Sequence, residues 1–383
     1  MIRNQEFLDA LLASVSRFVR DRLEPAESIV AEDDEIPPSI VEDMKALGLF
    51  GLSIPQAYGG LGLTMEEEVW VILEMGRTSP AFRSVFGTTV GVGSQSILLD
   101  GTPDQKTHYL PLLARGELIA AFALTEPDAG SDAASLRTSA VLDGNDYLIN
   151  GTKRFVTNAS RAGLFIVMAR TDKASQGAEG ISAFAVEAGT RGMALGKSDK
   201  KMGHQGAPTC DLIFENCRVP AANIIGGKPG VGFKTAMKSL EKSRIHIAAL
   251  CTGVARRMLG DALRYAMQRK QFGRPIAEFQ LVQAMLADSQ AECYAAQCMT
   301  LDAARRRDAG ESVGTEASCA KMFASEMCGR VADRALQIFG GAGYMADYGI
   351  ERFYRDVRLF RLYEGTTQIQ QLIIARNLMN GAL

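Results

Sequence analysis

Apolar positions in the first 115 residues recur at helical spacing. Phe7, Leu8, Leu11, Leu12, Val15, Phe18 and Val19 draw one stripe down a helix, because residues three and four apart share a face. Met44, Leu47 and Leu49 close a second helix, with Gly48 near its end. Residues 65–75 predict a third, and Thr64 followed by Glu67 has the spacing of a capping box. Residues 55–60 are a loop by composition.

From about 118 to 225 the period falls to two. Residues 146–149 and 152–156 flank Asn150-Gly151. That pair supplies the positive φ angles of a type I′ turn and predicts a hairpin turning there. Asp143-Gly144 marks another turn just upstream. Residues 164–168 and 181–186 read as buried strands, and 211–214 alternate. No helical pattern interrupts this block, so it is not a Rossmann unit. Beyond about 231, residues 254–267, 279–307 and 315–338 are again helix-compatible. The last helix runs into Phe339-Gly340-Gly341-Ala342-Gly343, where Gly340 or Gly341 suits a left-handed cap. The expected organisation is α+β and multidomain: helical over 1–117, β over 118–228, helical over 229–383.

At 383 residues the chain is too long for one core. Apolar residues at 47% and charged residues at 22% place it among ordinary globular proteins. A net charge of −2 argues against nucleic-acid or anionic-membrane partners, which need a basic footprint. Seven cysteines without a Cys-x-x-Cys pair favour a reducing compartment over a disulfide framework. None of the three histidines is spaced as a metal pair, so no metal is expected. No apolar run approaches a membrane span. Glu6 and Asp9 make the N-terminus an amphipathic helix rather than a targeting segment. The expectation is a cytoplasmic protein, or a matrix protein if the chain is a processed mitochondrial one.

Four segments carry candidate chemistry, each with a plainer reading. Residues 124–132 (Leu124 to Asp132) are turn-rich, and their N–H groups and hydroxyls suit a bound ligand; Gly/Asp/Ser turns are also common on any surface. Thr367 and Gln370 have capping-box spacing, so a helix should begin there, with Glu364 in the loop entering it. Gly365 lets backbone approach a ligand, although a carboxylate beside a helix N-terminus often only offsets the dipole. Arg244, placed at the start of a long helix, suits a phosphate or a carboxylate, or simply solvent. Residues 268–275 form a basic turn that suits a pyrophosphate or serves as a mere connector. Gly91-Val92-Gly93 lacks a dinucleotide fingerprint, residues 226–232 lack the P-loop ending, and no Gly-x-Ser-x-Gly elbow occurs.

Taken in order, these segments resemble the acyl-CoA dehydrogenase family over essentially the whole chain. The resemblance rests on residues 125–132, the 150–158 segment (Asn150-Gly151-x-Lys153-x-Phe155-Val156-Thr157-Asn158) and residues 269–273. It rests also on residues 337–343 with Arg355-Asp356, and on Tyr363-Glu364-Gly365-Thr366. It implies an N-terminal helical domain, a barrel-like β domain and a C-terminal four-helix bundle. FAD would lie between the last two, usually in a homotetramer. By the same resemblance, Phe122, Leu124, Thr125, Phe155 and Thr157 line the isoalloxazine. Arg269, Phe272 and Gln280 touch the phosphates and adenosine, and Thr366 and Gln368 also contact FAD. Gln337, Gly340 and Gly341 reach the FAD of a neighbouring subunit. Ser131, Glu241 and Arg244 fall at substrate or CoA positions, beside Tyr363 and Gly365. The family often has Tyr and Trp where this chain has Phe122 and Phe155, and Asp where it has Glu241.

The activity implied is α,β-dehydrogenation of an acyl-CoA to the trans-2-enoyl-CoA. Glu364 is the base for the α-proton and a hydride passes to flavin N5. The Glu364 N–H and the ribityl 2′-hydroxyl steady the thioester oxygen, and an electron-transferring flavoprotein is the usual acceptor. Some branches carry the base at the position of Ser243, which cannot serve as one. Arg83 resembles the arginine with which glutaryl-CoA dehydrogenases hold a distal carboxylate, although Gly76 and Gly87 stand where that subfamily has further polar contacts. An acyl-CoA oxidase, a desulfinase-type relative and a non-catalytic helical assembly factor are the rival functions.

Overall fold

The computed structural model describes residues 1–175 and 177–381. Seven helices come first: α1 Gln5–Phe18, α2 Glu24–Asp33, α3 Pro38–Ala46, α4 Met65–Met75, α5 Pro80–Thr88, α6 Ser94–Asp100 and α7 Pro103–Ala114. The capping box at Thr64 and Glu67 is present, each side chain bonding the other's backbone N–H. Two junctions are π turns. Val19–Leu23 joins α1 to α2, and Thr89–Gly93 joins α5 to α6, so residues 80–100 form one helix with a widened turn.

The β block contains β1 Ala120–Ala123, β2 Ser139–Asp143, β3 Asp146–Thr157, β4 Leu164–Arg170, β5 Ile181–Glu187, β6 Met193–Leu195 and β7 Thr209–Pro220. They form one curled sheet in the order β1-β4-β2-β3-β7-β6, with β5 also paired to β4. The predicted hairpin at Asn150-Gly151 does not occur. The chain turns at Asp143-Gly144-Asn145, where Asp143 pairs with Asp146 and Gly144 has φ 63°. Asn150-Gly151 lies inside β3 as an irregularity against β7. The reason is local. A Cβ on Gly151 would sit 2.6 Å from Thr138 Oγ1, and Asn150 Oδ1 accepts from Asn216 N at 2.7 Å. The pair therefore makes a bulge, which strand glycines often mark.

The last block is α8 Gly232–Gln268, the mini-hairpin β8 Lys270–Gln271 and β9 Arg274–Pro275, α9 Gln280–Asp308, α10 Gly314–Phe339, α11 Ile350–Val357 and α12 Thr367–Gly381. α8 begins well before the 254–267 stretch whose periodicity announces it. Arg244 thus lies in its fourth turn rather than at its start. One core joins the N-terminal helices to the C-terminal bundle through Phe82, Phe86, Ile247, Leu250 and Phe360. A second fills the sheet around Phe165, Phe184 and Leu212. Gly76 and Gly253 let α4 and α8 cross closely, since a Cβ on Gly76 would lie 2.8 Å from the Gly253 Cα. No described helix is long and apolar enough to cross a membrane.

Candidate active site

Three elements converge on a cavity of about 600 Å³: the ends of β1 and β3, the first turns of α8, and the loop before α12. Phe122, Leu124, Thr125, Phe155 and Thr157 line it from the sheet side. Ser131 and Arg244 face it, and Tyr363, Glu364 and Gly365 close it. A second cavity of about 430 Å³ shares Arg154, Phe155, Thr157 and Tyr363 with the first and extends over residues 199–204 to Arg355 and Leu359.

The sheet side is held by a buried ion pair. Lys153 Nζ meets Glu126 Oε1 at 2.7 Å and the Leu124 carbonyl at 3.1 Å. The Glu126 carboxylate also accepts from the Arg137 and Thr138 N–H groups at 2.6 and 2.9 Å. The Arg154 N–H donates to the Thr125 carbonyl at 2.7 Å. Together these bonds pin the turn-rich segment to β3. Between Lys153 and Val156 the register with β7 slips, and Phe155 takes φ 56°. Its ring is 60% exposed to the cavities, with the Arg154 guanidinium 4.8 Å above it. Asn158, also left-handed at φ 62°, donates to the Ser84 carbonyl at 2.7 Å and to Thr88 Oγ1 at 2.9 Å. It ties the end of β3 to α5.

Glu364 stands at φ 56° and Gly365 at φ 88°. A non-glycine residue there costs of order 1–3 kcal/mol and persists only where the surroundings impose it. The half-buried Glu364 side chain ends in a buried Oε2 with no partner among the described residues. Burial pushes its carboxyl above the ordinary carboxylate range; Ser243, Arg83, Lys321 and Arg244 pull it down without cancelling that effect. Arg244 Nε is likewise buried without an acceptor. The cap of α12 differs from the expected pair. Thr366, not Thr367, accepts the Ile369 N–H at 3.2 Å, while Thr367 Oγ1 donates to Glu326 at 2.7 Å. Gln370 turns away from the helix end to the carbonyls of Glu364 and Gly365, at 3.1 Å each.

The other singled-out residues lie elsewhere. Glu241, on α8, faces Arg307 at 3.5 Å. Gln368 is exposed on the first turn of α12. Arg269, Phe272, Gln280, Gln337, Gly340 and Gly341 are all exposed and line neither cavity. Phe272 is 93% exposed at the tip of the β8–β9 turn. Tyr265 stacks on Phe339 at 4.2 Å, which brings the roots of both exposed turns to one end of the bundle.

Arg83 is buried on α5 without lining the cavity. Its Nη2 lies 3.4 Å from His246 Nδ1. His246 Nε2 lies 2.7 Å from Glu68, whose other oxygen meets Lys242 at 2.9 Å. A carboxylate only accepts, so His246 carries its proton on Nε2 and offers the Nδ1 lone pair to Arg83. Burial lowers the imidazole to about 4 and keeps it neutral. Gly87 and Gly91 clear the space for the guanidinium, and a Cβ on Gly87 would sit 2.6 Å from Arg83 Nη1. None of Glu68, Lys242 or Lys321 stands out in the sequence, because each reads there as an ordinary polar helix position, and Gln370 stands out only for its capping-box spacing from Thr367.

Family models match the chain in three consecutive segments. They are the acyl-CoA dehydrogenase N-terminal domain over residues 5–117, the middle domain over 121–217 and the C-terminal domain over 230–379. An acyl-CoA dehydrogenase of Bacillus subtilis is 44% identical, covering 96% of each chain. An NADH-dependent acryloyl-CoA reductase of Anaerotignum propionicum is 41% identical over 99% of this chain and 95% of its own. The structure of butyryl-CoA dehydrogenase from Megasphaera elsdenii superposes with a TM-score of 0.95 at 33% identity, covering 99% of this chain and all of that one. Proteins of this kind are FAD-dependent flavoproteins. The residues present here fit such a group: an aromatic ring forced outward at Phe155, hydroxyls at Thr125 and Thr157, and two orphaned buried polar atoms, on Glu364 and Arg244, around one cleft.

Proposed function

This chain belongs to the acyl-CoA dehydrogenase family and is an oxidoreductase, and on that premise we propose that it desaturates a CoA thioester between Cα and Cβ with Glu364 as the base. The observation that carries the reading is the Glu364 carboxylate, held in a strained turn at the cavity with one buried oxygen that none of the described residues satisfies. An α-proton beside a thioester is too weakly acidic for an ordinary carboxylate. Burial makes this one a stronger base, and donors at the thioester oxygen lower the cost of the enolate. The Glu364 N–H is the protein's own candidate donor, and the orphaned Arg244 Nε adds a fixed positive charge nearby.

Phe122, Leu124, Thr125, Phe155 and Thr157 would hold FAD at the cleft, with Thr366 and Gln368 beside it. When bound, FAD supplies the acceptor for the hydride that leaves Cβ. Arg269, Phe272, Gln280, Gln337, Gly340 and Gly341 are exposed outside both cavities and would serve the cofactor of a second copy. Exposed Met267, Phe272, Leu281 and Tyr344 at the same end of the bundle support a homo-oligomer, read as a tetramer. An electron-transferring flavoprotein is the proposed acceptor.

Glu364→Gln should keep FAD and bind thioester yet lose flavin reduction by about 10²–10⁴-fold. Because the base works ionised and its folded pKa is raised, reduction by the native protein should fall as pH drops through that raised value. The midpoint should lie above the ordinary carboxylate range. Rapid anaerobic mixing across pH measures both effects, and near-normal reduction in the Gln variant moves the base elsewhere.

The substrate we favour is a short or medium acyl chain, unsubstituted or branched. A dicarboxyl mono-CoA ester is the second reading. The unpartnered Arg83 Nε favours it, whereas the bond to His246 and the absence of Arg83 from the cavity wall weigh against it.

A further inference from the structure

Lys321 lies in the third turn of α10 with no solvent exposure. Its ammonium makes one hydrogen bond among the described residues, to the Gly365 carbonyl at 2.7 Å. A buried ammonium is costly unless it is paired. An apolar side chain would fill the same space at less cost, so the place of the charge needs a reason.

The reason lies in what it touches. Gly365 follows the base, and its carbonyl is held twice, by Lys321 Nζ and by Gln370 Nε2 at 3.1 Å. The same Gln370 nitrogen also holds the Glu364 carbonyl at 3.1 Å. Gln370 has no exposed surface. These contacts fall on the two consecutive residues that stand at positive φ. Because a trans peptide is rigid, fixing these two carbonyls fixes the planes on either side of Gly365. The direction in which the Glu364 side chain leaves the backbone is fixed with them.

The charge matters separately. The groups facing Lys321 are Cys251 and Arg244 on α8, Glu326 on α10 and Glu364 itself. Glu326 is occupied by Thr367 and Arg361. Burial holds the Cys251 thiol well up, and so neutral. Glu364 is therefore the anion left for the Lys321 charge to act on. Arg83 and Arg244 bear on it too, along with the Ser243 hydroxyl.

We propose that Lys321 is a positioning residue for the base, clamping the Glu364–Gly365 turn together with Gln370 and steadying the Glu364 carboxylate. The proposal rests on the reading of Glu364 as the base. It assigns a separable task to each partner: Gln370 supplies geometry alone, Lys321 geometry and charge.

The test compares Lys321→Met, Lys321→Arg and Gln370→Met with Glu364→Gln, all as FAD-loaded full-length protein. Three quantities are measured: the limiting rate of anaerobic flavin reduction by butyryl-CoA, its pH profile, and the affinity for S-butyl-CoA, an unreactive thioether. Lys321→Met is expected to slow reduction by about 10–100-fold, the scale of a small misplacement of a reacting group, with thioether affinity within about threefold (roughly 0.7 kcal/mol at most). Its acid limb should move to higher pH. Gln370→Met should slow reduction comparably and leave the limb in place, and Lys321→Arg should restore the limb. Normal rate and limb in Lys321→Met overturn the proposal, as does a loss of thioether affinity in step with the rate. If Lys321→Met does not fold, the Gln370→Met and Lys321→Arg pair decides by the same criteria. Full reduction by Glu364→Gln would instead remove the reading of the base, whatever Lys321 does.

Discussion

Arg83 shows how a single side chain changes meaning between sequence and structure. In the sequence it is an arginine beside a serine in an apolar helix, open to solvent, a protein acid or a substrate carboxylate. In the folded protein its neighbour is a neutral histidine, 163 positions away, whose lone pair is aimed at it by Glu68. No local pattern reports such a pairing, because packing alone brings α4, α5 and α8 together. The charge is lodged with an acceptor already present, so Arg83→Ala should disturb the protein whether or not the substrate carries a distal carboxylate. The discriminating measurement is relative. If a dicarboxyl ester is the substrate, its turnover falls much further in Arg83→Ala than that of butyryl-CoA. If the native protein ignores dicarboxyl esters, or both fall together, Arg83 is structural.

Among elements, α1, α4 and α10 were legible because an apolar stripe every three to four residues runs down each of them, whereas α2, α5, α6, α7 and α11 were not read one by one. Strands β4 and β5 were legible because they are buried on both faces, as continuous apolar runs. The Asn150-Gly151 turn was misplaced because the same dipeptide serves a bulge as well as a hairpin, and only contact with Thr138 and Asn216 decides between them. The Lys153–Glu126 pair belongs to this scale, since it joins the exit of β1 to β3. Burial alone would raise the Glu126 carboxyl, yet Lys153 and the donors around it hold it below its ordinary value. Removing the lysine strands that carboxylate. Lys153→Met should cost about 3–5 kcal/mol of stability and loosen the segment carrying Thr125, weakening FAD retention. Lys153→Met with Glu126→Gln should recover part of the stability. Thermal unfolding with FAD titration measures both, and an unchanged single variant would show that the pair is idle.

For the whole molecule, the cleft takes side chains from the sheet, from α8 and from the loop before α12, while the α5–α6 helix closes its side through Thr88 and Val92. The family motifs in the sequence include residues of the cleft, but the exposed turns at one end of the bundle raise a separate point. If they complete a second copy's cofactor site, specific activity should decline on dilution, the decline should be slowed by free FAD, and sedimentation should show dissociation over the same range. A dilute monomer that stays yellow and fully active would end that idea. The widened turn at Thr89–Gly93 has a consequence of another kind. A π turn is what a helix does with one residue too many, so residues 94–100 keep a phase one residue out of step with 80–88. Winding the same residues as an unbroken α ladder would instead rotate everything downstream by about 100°, one residue's worth at 3.6 residues per turn. It would swing Ser94 and Ile97 off their buried positions without changing the chemistry of any side chain. In this helix, the count of residues is itself a structural instruction.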